Sequence, residues 1–237
     1  VIDVVQLVFV NLAIALATVV QLSAGLGLGL VGVPLLAAVD PRLLPVPFAL
    51  SALLMMFGQW RVDSRAVPPG MLLPAAAGVV LGTAAGMALA VVHPGLATRR
   101  GYGVVVLLAV VLALAVPRLR PTVPMLAGAG FVSGAMGGIS GVHGPLMGLV
   151  VAHLPAGAVR GFLGLFWLIA YLAILLIALL AGRLGWEELW LATALLPGIA
   201  LGVALSGPAR RWLHGARLRW AILGIATLGG VSLVAAG

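Results

Sequence analysis

The chain has no cysteine and no lysine, and only 8% of its 237 residues are charged. Without cysteine there are no disulfides and no thiolate metal ligands, and the redox compartment stays open. Without lysine the basic excess is arginine alone, thirteen residues against five acids, for a formal net charge of +8. Such an excess can mark a nucleic-acid binder, but these arginines stand at the ends of apolar runs and no basic stripe with interleaved aromatics exists, so nucleic acid is excluded as a partner. Carboxylates are missing from the middle of every apolar run: Asp3, Asp40, Asp63, Glu187 and Glu188 all lie at ends or in loops. That removes a carboxylate proton relay and a cation-binding acidic ring. There is no HExxH, no Walker loop and no GxSxG, and the glycine runs lack the strand and following acid of a dinucleotide fingerprint. With no nucleophile–base pair and no metal-ligand spacing, the expectation is a protein that is not an enzyme and needs no cofactor or metal.

What fills the chain instead is hydrocarbon. It is 63% hydrophobic, with a mean hydropathy of +1.27, beyond what a soluble core requires. Eight long apolar runs, near residues 4–26, 43–60, 69–92, 98–116, 122–138, 158–182, 186–206 and 218–236, are each long enough to cross a bilayer. Two shorter pieces, near 30–39 and 145–153, are too short to cross as ideal helices. The chain starts at Val1, which implies residues before it, and the first run is too long for a signal-peptide core and reads as a span. The prediction is an all-α, multi-pass protein of the cell (cytoplasmic) membrane whose partner is the lipid bilayer. A homo-oligomer is left open.

Each short piece follows a glycine-rich break. The first break runs from Ser23 to Pro34 and holds Gly25, Gly27, Gly29 and Gly32. The second runs from Ser133 to Pro145 and holds Gly134, Gly137, Gly138, Gly141 and Gly144. Pro34 and Pro145 are 111 residues apart, and Leu81-Gly82 and Leu201-Gly202 are 120 apart. The same order thus occurs twice: a Gly/Pro-broken helix with a short helix, then three long helices. This divides the chain into two homologous repeats, 1–117 and 121–237, around the linker Pro117-Arg-Leu-Arg-Pro121. Parallel halves put eight arginines on one side and five on the other; inverted halves split them nine (61, 65, 118, 120, 160, 210, 211, 217, 219) to four (42, 99, 100, 183). Both satisfy a positive-inside bias, and the inverted arrangement separates charge better.

Unwound backbone in a bilayer is tolerated only where protein buries it or a wet cavity receives it. Paired interruptions in corresponding halves therefore point to a transport site near the midplane. Pro34 and Pro145 are expected to open half-helices, because proline is harmless in a first turn, and helix N-termini favour anions. The candidate substrate-binding residues are Gly27, Gly29, Gly32 and Pro34 from the first break, with Ser133, Gly137, Gly138, Ser140, His143 and Pro145 from the second. His143 is the one ionisable side chain in either cluster. The competing reading of the small residues is close helix packing, which is expected for Gly78, Gly82 and Gly86. Arg160 reads as a snorkelling side chain, and Trp60, Trp167, Trp186, Trp190, Trp212 and Trp220 read as interface anchors.

With these residues the chain resembles the TauE/SafE family of sulfite exporters along nearly its whole length. The likeness rests on Gly25-Leu-Gly-Leu-Gly-Leu-Val-Gly-Val-Pro34, Trp60-Arg-Val-Asp63, Leu81-Gly82, the stretch from Gly134 to Met147, Arg160-Gly161, and Leu201-Gly202 with Arg210-Arg211. The family favours a denser glycine run before the proline; here glycine alternates with leucine in the first cluster, and His143 stands in the second. The resemblance implies a secondary transporter of sulfite, organosulfonates or related small anions. The alternative is an anion channel with the breaks lining its pore.

Overall fold

The computed structural model describes residues 3–25, 27–63, 70–115, 121–209 and 215–236, with backbone alone for 24, 54, 58–63, 156, 215 and 216. Every regular element among these residues is helical. In chain order they are α1 (Val4–Ala24), α2 (Leu28–Val39), α3 (Val46–Asp63), α4 (Leu72–Val92), α5 (Arg99–Ala115), α6 (Val123–Ser140), α7 (Leu146–Val151), α8 (Ala156–Leu180), α9 (Trp186–Ala209) and α10 (Gly215–Ala236). Eight long helices and two short ones occupy the positions the apolar runs predict. Six among the described residues are long and apolar enough to cross a membrane. The linker expected at Pro117–Pro121 lies outside the described residues except for Pro121, as do the pair Arg210-Arg211, Trp212 and the Trp60 side chain.

Side chains cap the starts of α1 and α6. Asp3 and Gln6 close a capping box on α1, with the Gln6 amide donating to Asp3 Oδ1 at 2.8 Å and the Asp3 amide to Gln6 Oε1 at 3.1 Å. Several helix ends are capped by arginine, whose fork can reach two carbonyls at once. Arg99 donates to the Ala37 and Val39 carbonyls at the end of α2, at 3.1 and 3.0 Å. Arg100 donates to Val234 near the end of α10, and Arg219 to Ala113 near the end of α5. The run-end arginines thus satisfy carbonyls that α-helices leave orphaned.

The helices pack through glycine. On α4, Gly78, Gly82 and Gly86 face Ala127, Phe131 and Ala135 of α6, and an added methyl would overlap each of those carbonyl oxygens. From the other side Gly130, Gly134 and Gly138 of α6 face Ala75, Val79 and Thr83. Residue numbers rise together, so α4 and α6 run parallel at backbone contact, as small residues at three- and four-residue spacing allow. Gly198 and Gly202 of α9 sit likewise on Asn11 and on Ala15 and Thr18 of α1, and Asn11 seals the contact by accepting from the Gly198 amide at 2.6 Å and donating to the Ala194 carbonyl at 3.0 Å. By contrast α5 and α10 run antiparallel, with Arg100 at Val234, Gly103 at Gly230 and Ala113 at Arg219.

Exchanging the two five-helix groups turns α1-on-α9 into α6-on-α4 and places α5 on α10 head to tail. The short helix α2 folds back along α1, with Gly27 against Val20 and Gly32 against Ala17 and Ile14. Outward-facing Leu7, Leu12 and Leu16 of α1, with Leu172, Leu176 and Leu179 of α8, are exposed and form part of the lipid face.

Candidate anion site at the paired helix breaks

α1 stops at Gly25 and α6 stops at Gly141. Both glycines take left-handed backbone, φ 74° and 84°, and each donates its amide four residues back, to Gln21 and to Gly137, at 2.7 Å. A side chain rarely adopts that conformation, so glycine is required at both caps. The two caps are 116 residues apart, against 111 for the two prolines. The first break closes in three residues, Gly25 to Gly27, and α2 begins at Leu28. Pro34 therefore opens no half-helix: it lies inside α2, where its ring packs on Gly229 of α10 and the missing donor is the one that would reach Leu30. The second break is longer, and Pro145 does precede α7 directly. Gly134, Gly137 and Gly138 are helical residues of α6 and belong to no unwound segment.

The two breaks touch. A methyl at Gly29 would lie 3.1 Å from Val142 Cα and 3.3 Å from the Gly141 carbonyl oxygen. Beside this contact is a cavity of about 30 Å³, lined by Gln21, Gly29, His143, Gly144, Trp167 and Tyr171 among others. Trp167 and Tyr171 are the twelfth and sixteenth of the 25 residues of α8, so the breaks meet at that helix's mid-depth. The volume admits water-sized molecules only.

Each break carries one large polar side chain. Gln21 spans the first: its Oε1 accepts from the Leu28 amide and its Nε2 donates to the Gly25 carbonyl, both at 3.1 Å. Trp167 Nε1 donates to that carbonyl at 3.4 Å. His143 stands in the second break. Its ring lies on Gly137, where an added methyl would come within 2.5 Å of Cδ2 and Nε2, and it meets Tyr171 edge-on with ring centroids 4.7 Å apart. His143 is 6% exposed, and neither ring nitrogen has a hydrogen-bond partner. The amides of Gly29, His143 and Gly144 also lack an acceptor among the described residues. His143 and Gly144 are buried and Gly29 is half-buried, and buried donors without acceptors are rare in folded proteins.

Of the residues expected from sequence, Gly27, Gly29, His143 and Pro145 line this cavity, and Gly137 supports the imidazole. Gly32 packs on Phe48, Ala17 and Ile14. Gly138 packs on the α4 backbone, and Ser133 is buried in α6 with its hydroxyl unpartnered. Ser140 is the last helical residue; its hydroxyl donates to the Met136 carbonyl at 3.0 Å and accepts from the Val142 amide at 3.2 Å, so it caps the second break as Gln21 clamps the first. Trp167 corrects the interface reading: it is 5% exposed beside the imidazole, whereas Trp186 and Trp190 are 88% and 75% exposed. Gln21 and Tyr171 were not singled out by sequence, and Trp167 was not assigned to the site. Gln21 alone left a signal, as the last amide side chain before the break.

A second, larger cavity of about 460 Å³ opens at the end of the molecule where α3, α5 and α9 begin. Its walls include Arg42, Tyr102, Arg183 and Glu188, and it reaches Gly138 and Ile139 in the last turn of α6. Arg42 is held there by Asp40 at 2.7 Å and Glu187 at 3.2 Å. This vestibule approaches the second break from one side.

The family model for the sulfite exporter TauE/SafE matches residues 10–233. This chain belongs to the TauE/SafE family. No curated protein and no solved structure gives a match. A TauE/SafE protein is a membrane transporter of the sulfite-exporter type, and the multi-pass helical architecture agrees with that assignment. Both breaks and the vestibule lie inside the matched TauE/SafE region.

Proposed function

We propose that the chain is a secondary transporter of sulfite, an organosulfonate or a related small anion across the cytoplasmic membrane, and that the anion binds where the two breaks meet. The observation that carries this reading is the meeting of the breaks around His143, whose ring nitrogens are unpartnered and whose neighbouring amides lack acceptors. Buried N–H groups without acceptors favour a negative guest, as do the first amides of the twelve-residue helix α2. The small volume and the buried Phe48 beyond it support a carrier that widens on binding over an open pore. The arginine distribution supports an orientation with the vestibule end, which carries Arg42, Arg99, Arg100 and Arg183, outside the cell.

The test is flux into proteoliposomes containing the purified protein, with sulfite, sulfonates, thiosulfate and carboxylates as a panel. Saturable uptake with counterflow of at least one sulfur oxyanion is expected, with His143→Ala lowering it tenfold or more. Absence of uptake across the panel refutes the transport reading; non-saturating flux replaces the carrier by a channel. Normal flux in His143→Ala moves the site elsewhere.

A further inference from the structure

Aligning the two left-handed caps, Gly25 with Gly141, pairs Gln21 with Gly137 and Gly27 with His143. The large polar group and the glycine have changed places. In the first half the side chain comes from the helix before the break and glycine stands in the break; in the second half glycine stands on the helix and the side chain comes from the break. Each glycine is needed for close approach: a methyl at Gly27 would overlap Val20, and one at Gly137 would strike the imidazole. The result is one polar arm from each half beside the same cavity.

Neither arm carries a fixed charge. Gln21 uses its oxygen on Leu28 and one N–H on Gly25, which leaves its second amide hydrogen. A neutral imidazole offers one N–H and one acceptor nitrogen. Among the described residues no arginine and no carboxylate lines the cavity. The charged groups on the surrounding elements stand at or beyond their ends: Asp3 before α1, Asp40 and Arg42 beyond α2, Arg61 and Asp63 in the last turn of α3, and Arg160 in the first turns of α8 with Arg183 beyond it. Dipoles and N–H groups can balance one negative charge at a helix break, but a second buried charge without a cation carries a desolvation penalty of several kcal/mol.

We infer that this cavity takes singly charged oxyanions and refuses doubly charged ones of the same size, with Gln21 and His143 as its two neutral polar arms. The inference rests on the transport reading above and sharpens its substrate. For sulfite the bound form is hydrogensulfite, whose hydroxyl donates to the acceptor nitrogen of His143 while its oxygens accept from Gln21 and the free amides. One proton then travels with each sulfur.

Methanesulfonate and sulfate form a suitable pair, similar in size but with one and two permanent charges at neutral pH. Each is titrated as a competitor of labelled sulfite flux in proteoliposomes at fixed pH. Methanesulfonate is expected to inhibit at least tenfold more tightly than sulfate. Gln21→Lys, which brings a cation to the cavity, is expected to shrink that ratio at least threefold in protein that remains monodisperse. The wild-type ratio needs no variant to fold. A ratio below tenfold while sulfite is still carried overturns the single-charge inference and leaves the transporter standing. Absence of sulfite flux overturns the transport reading, and this inference with it.

Discussion

Gly137→Ala is the sharpest probe of the site, because it alters the position of one side chain and adds no polar group. The new methyl lies 2.5 Å from Cδ2 and Nε2 of His143, whereas ordinary contact between heavy atoms needs about 3.5–4.0 Å. The imidazole must retreat by about 1 Å. Tyr171 closes one direction, with ring centroids 4.7 Å apart, and Trp167 another, at 5.7 Å. The open direction is the cavity itself. Overpacking of this kind costs about 1–3 kcal/mol, and replacing a helix-interior glycine by alanine returns up to about 1 kcal/mol. The net loss is about 1 kcal/mol, which corresponds to roughly 2–4 °C in the unfolding midpoint for a chain of this size.

Thermal unfolding in detergent and flux in proteoliposomes read the two consequences separately. Flux is expected to fall tenfold or more, since the ring now fills the space a guest needs. Combining Gly137→Ala with His143→Ala removes the clash, so the double variant is expected to be more stable than the sum of the singles by about 1 kcal/mol, within the usual range for touching residues. Additive midpoints would falsify the claim that the imidazole lies on Gly137. Unchanged flux in Gly137→Ala, with coupling present, would show that transport does not use this cavity.

Gly82→Ala drives a methyl into the backbone carbonyl of Phe131, which cannot swing aside, so a loss of about 2–3 kcal/mol is expected, whereas Gly128→Ala, which meets nothing within 4 Å, should be neutral or stabilising by up to about 1 kcal/mol; equal midpoints for the two would refute backbone contact between α4 and α6. Gln21→Leu strips the Leu28 amide of its acceptor and the Gly25 carbonyl of one donor, and about 1–3 kcal/mol should be lost for the stranded amide, measurable as faster hydrogen exchange at the start of α2. Arg99→Gln cannot span the Ala37 and Val39 carbonyls together, so fraying of the α2 terminus and a loss of about 1 kcal/mol are expected; a variant with unchanged exchange there rules out the cap.

The helices and the existence of two breaks were legible because lipid imposes length and apolarity on a span, and glycine marks departures from it. Gly78, Gly82 and Gly86 were legible as packing by their spacing alone. The register of the halves was not. Pro34 and Pro145 look equivalent in sequence, but proline is sterically acceptable both at a helix start and, where one lost bond is tolerated, inside a buried helix. Only the backbone shows that Gly25 and Gly141 are the matching points. The same limit hid the exchange of Gln21 with His143, since a glutamine one turn before a glycine resembles a self-bonded polar residue in a span. Trp167 was misread because most tryptophans of a membrane protein do sit at the interface, and the pocket that buries this one is built by a histidine 24 positions earlier in the chain.

The vestibule and the inner cavity are separated by a side chain that no motif marks. Phe48 is fully buried and directly follows Val46 and Pro47 of the vestibule wall. Its ring lies 3.0 Å from the place of a Cβ on Gly141 and 3.3 Å from that on Gly32, and it meets Tyr171 edge-on at 6.1 Å. It therefore touches α2, the second break and the inner cavity's aromatic wall at once. Shortening it is expected to connect the two spaces. Phe48→Ala would cost about 3–5 kcal/mol, so Phe48→Leu is the usable change. Because the chain has no cysteine, single-cysteine labelling needs no background variant. Ala90→Cys, in the vestibule wall, should react quickly with a membrane-impermeant thiol reagent. Val142→Cys, at 1% exposure in the inner cavity, should react at least tenfold more slowly, and Phe48→Leu should narrow that gap. If Val142→Cys already reacts as fast as Ala90→Cys with Phe48 intact, the phenyl ring is no barrier, and the inner cavity is continuous with the outer one in the resting protein.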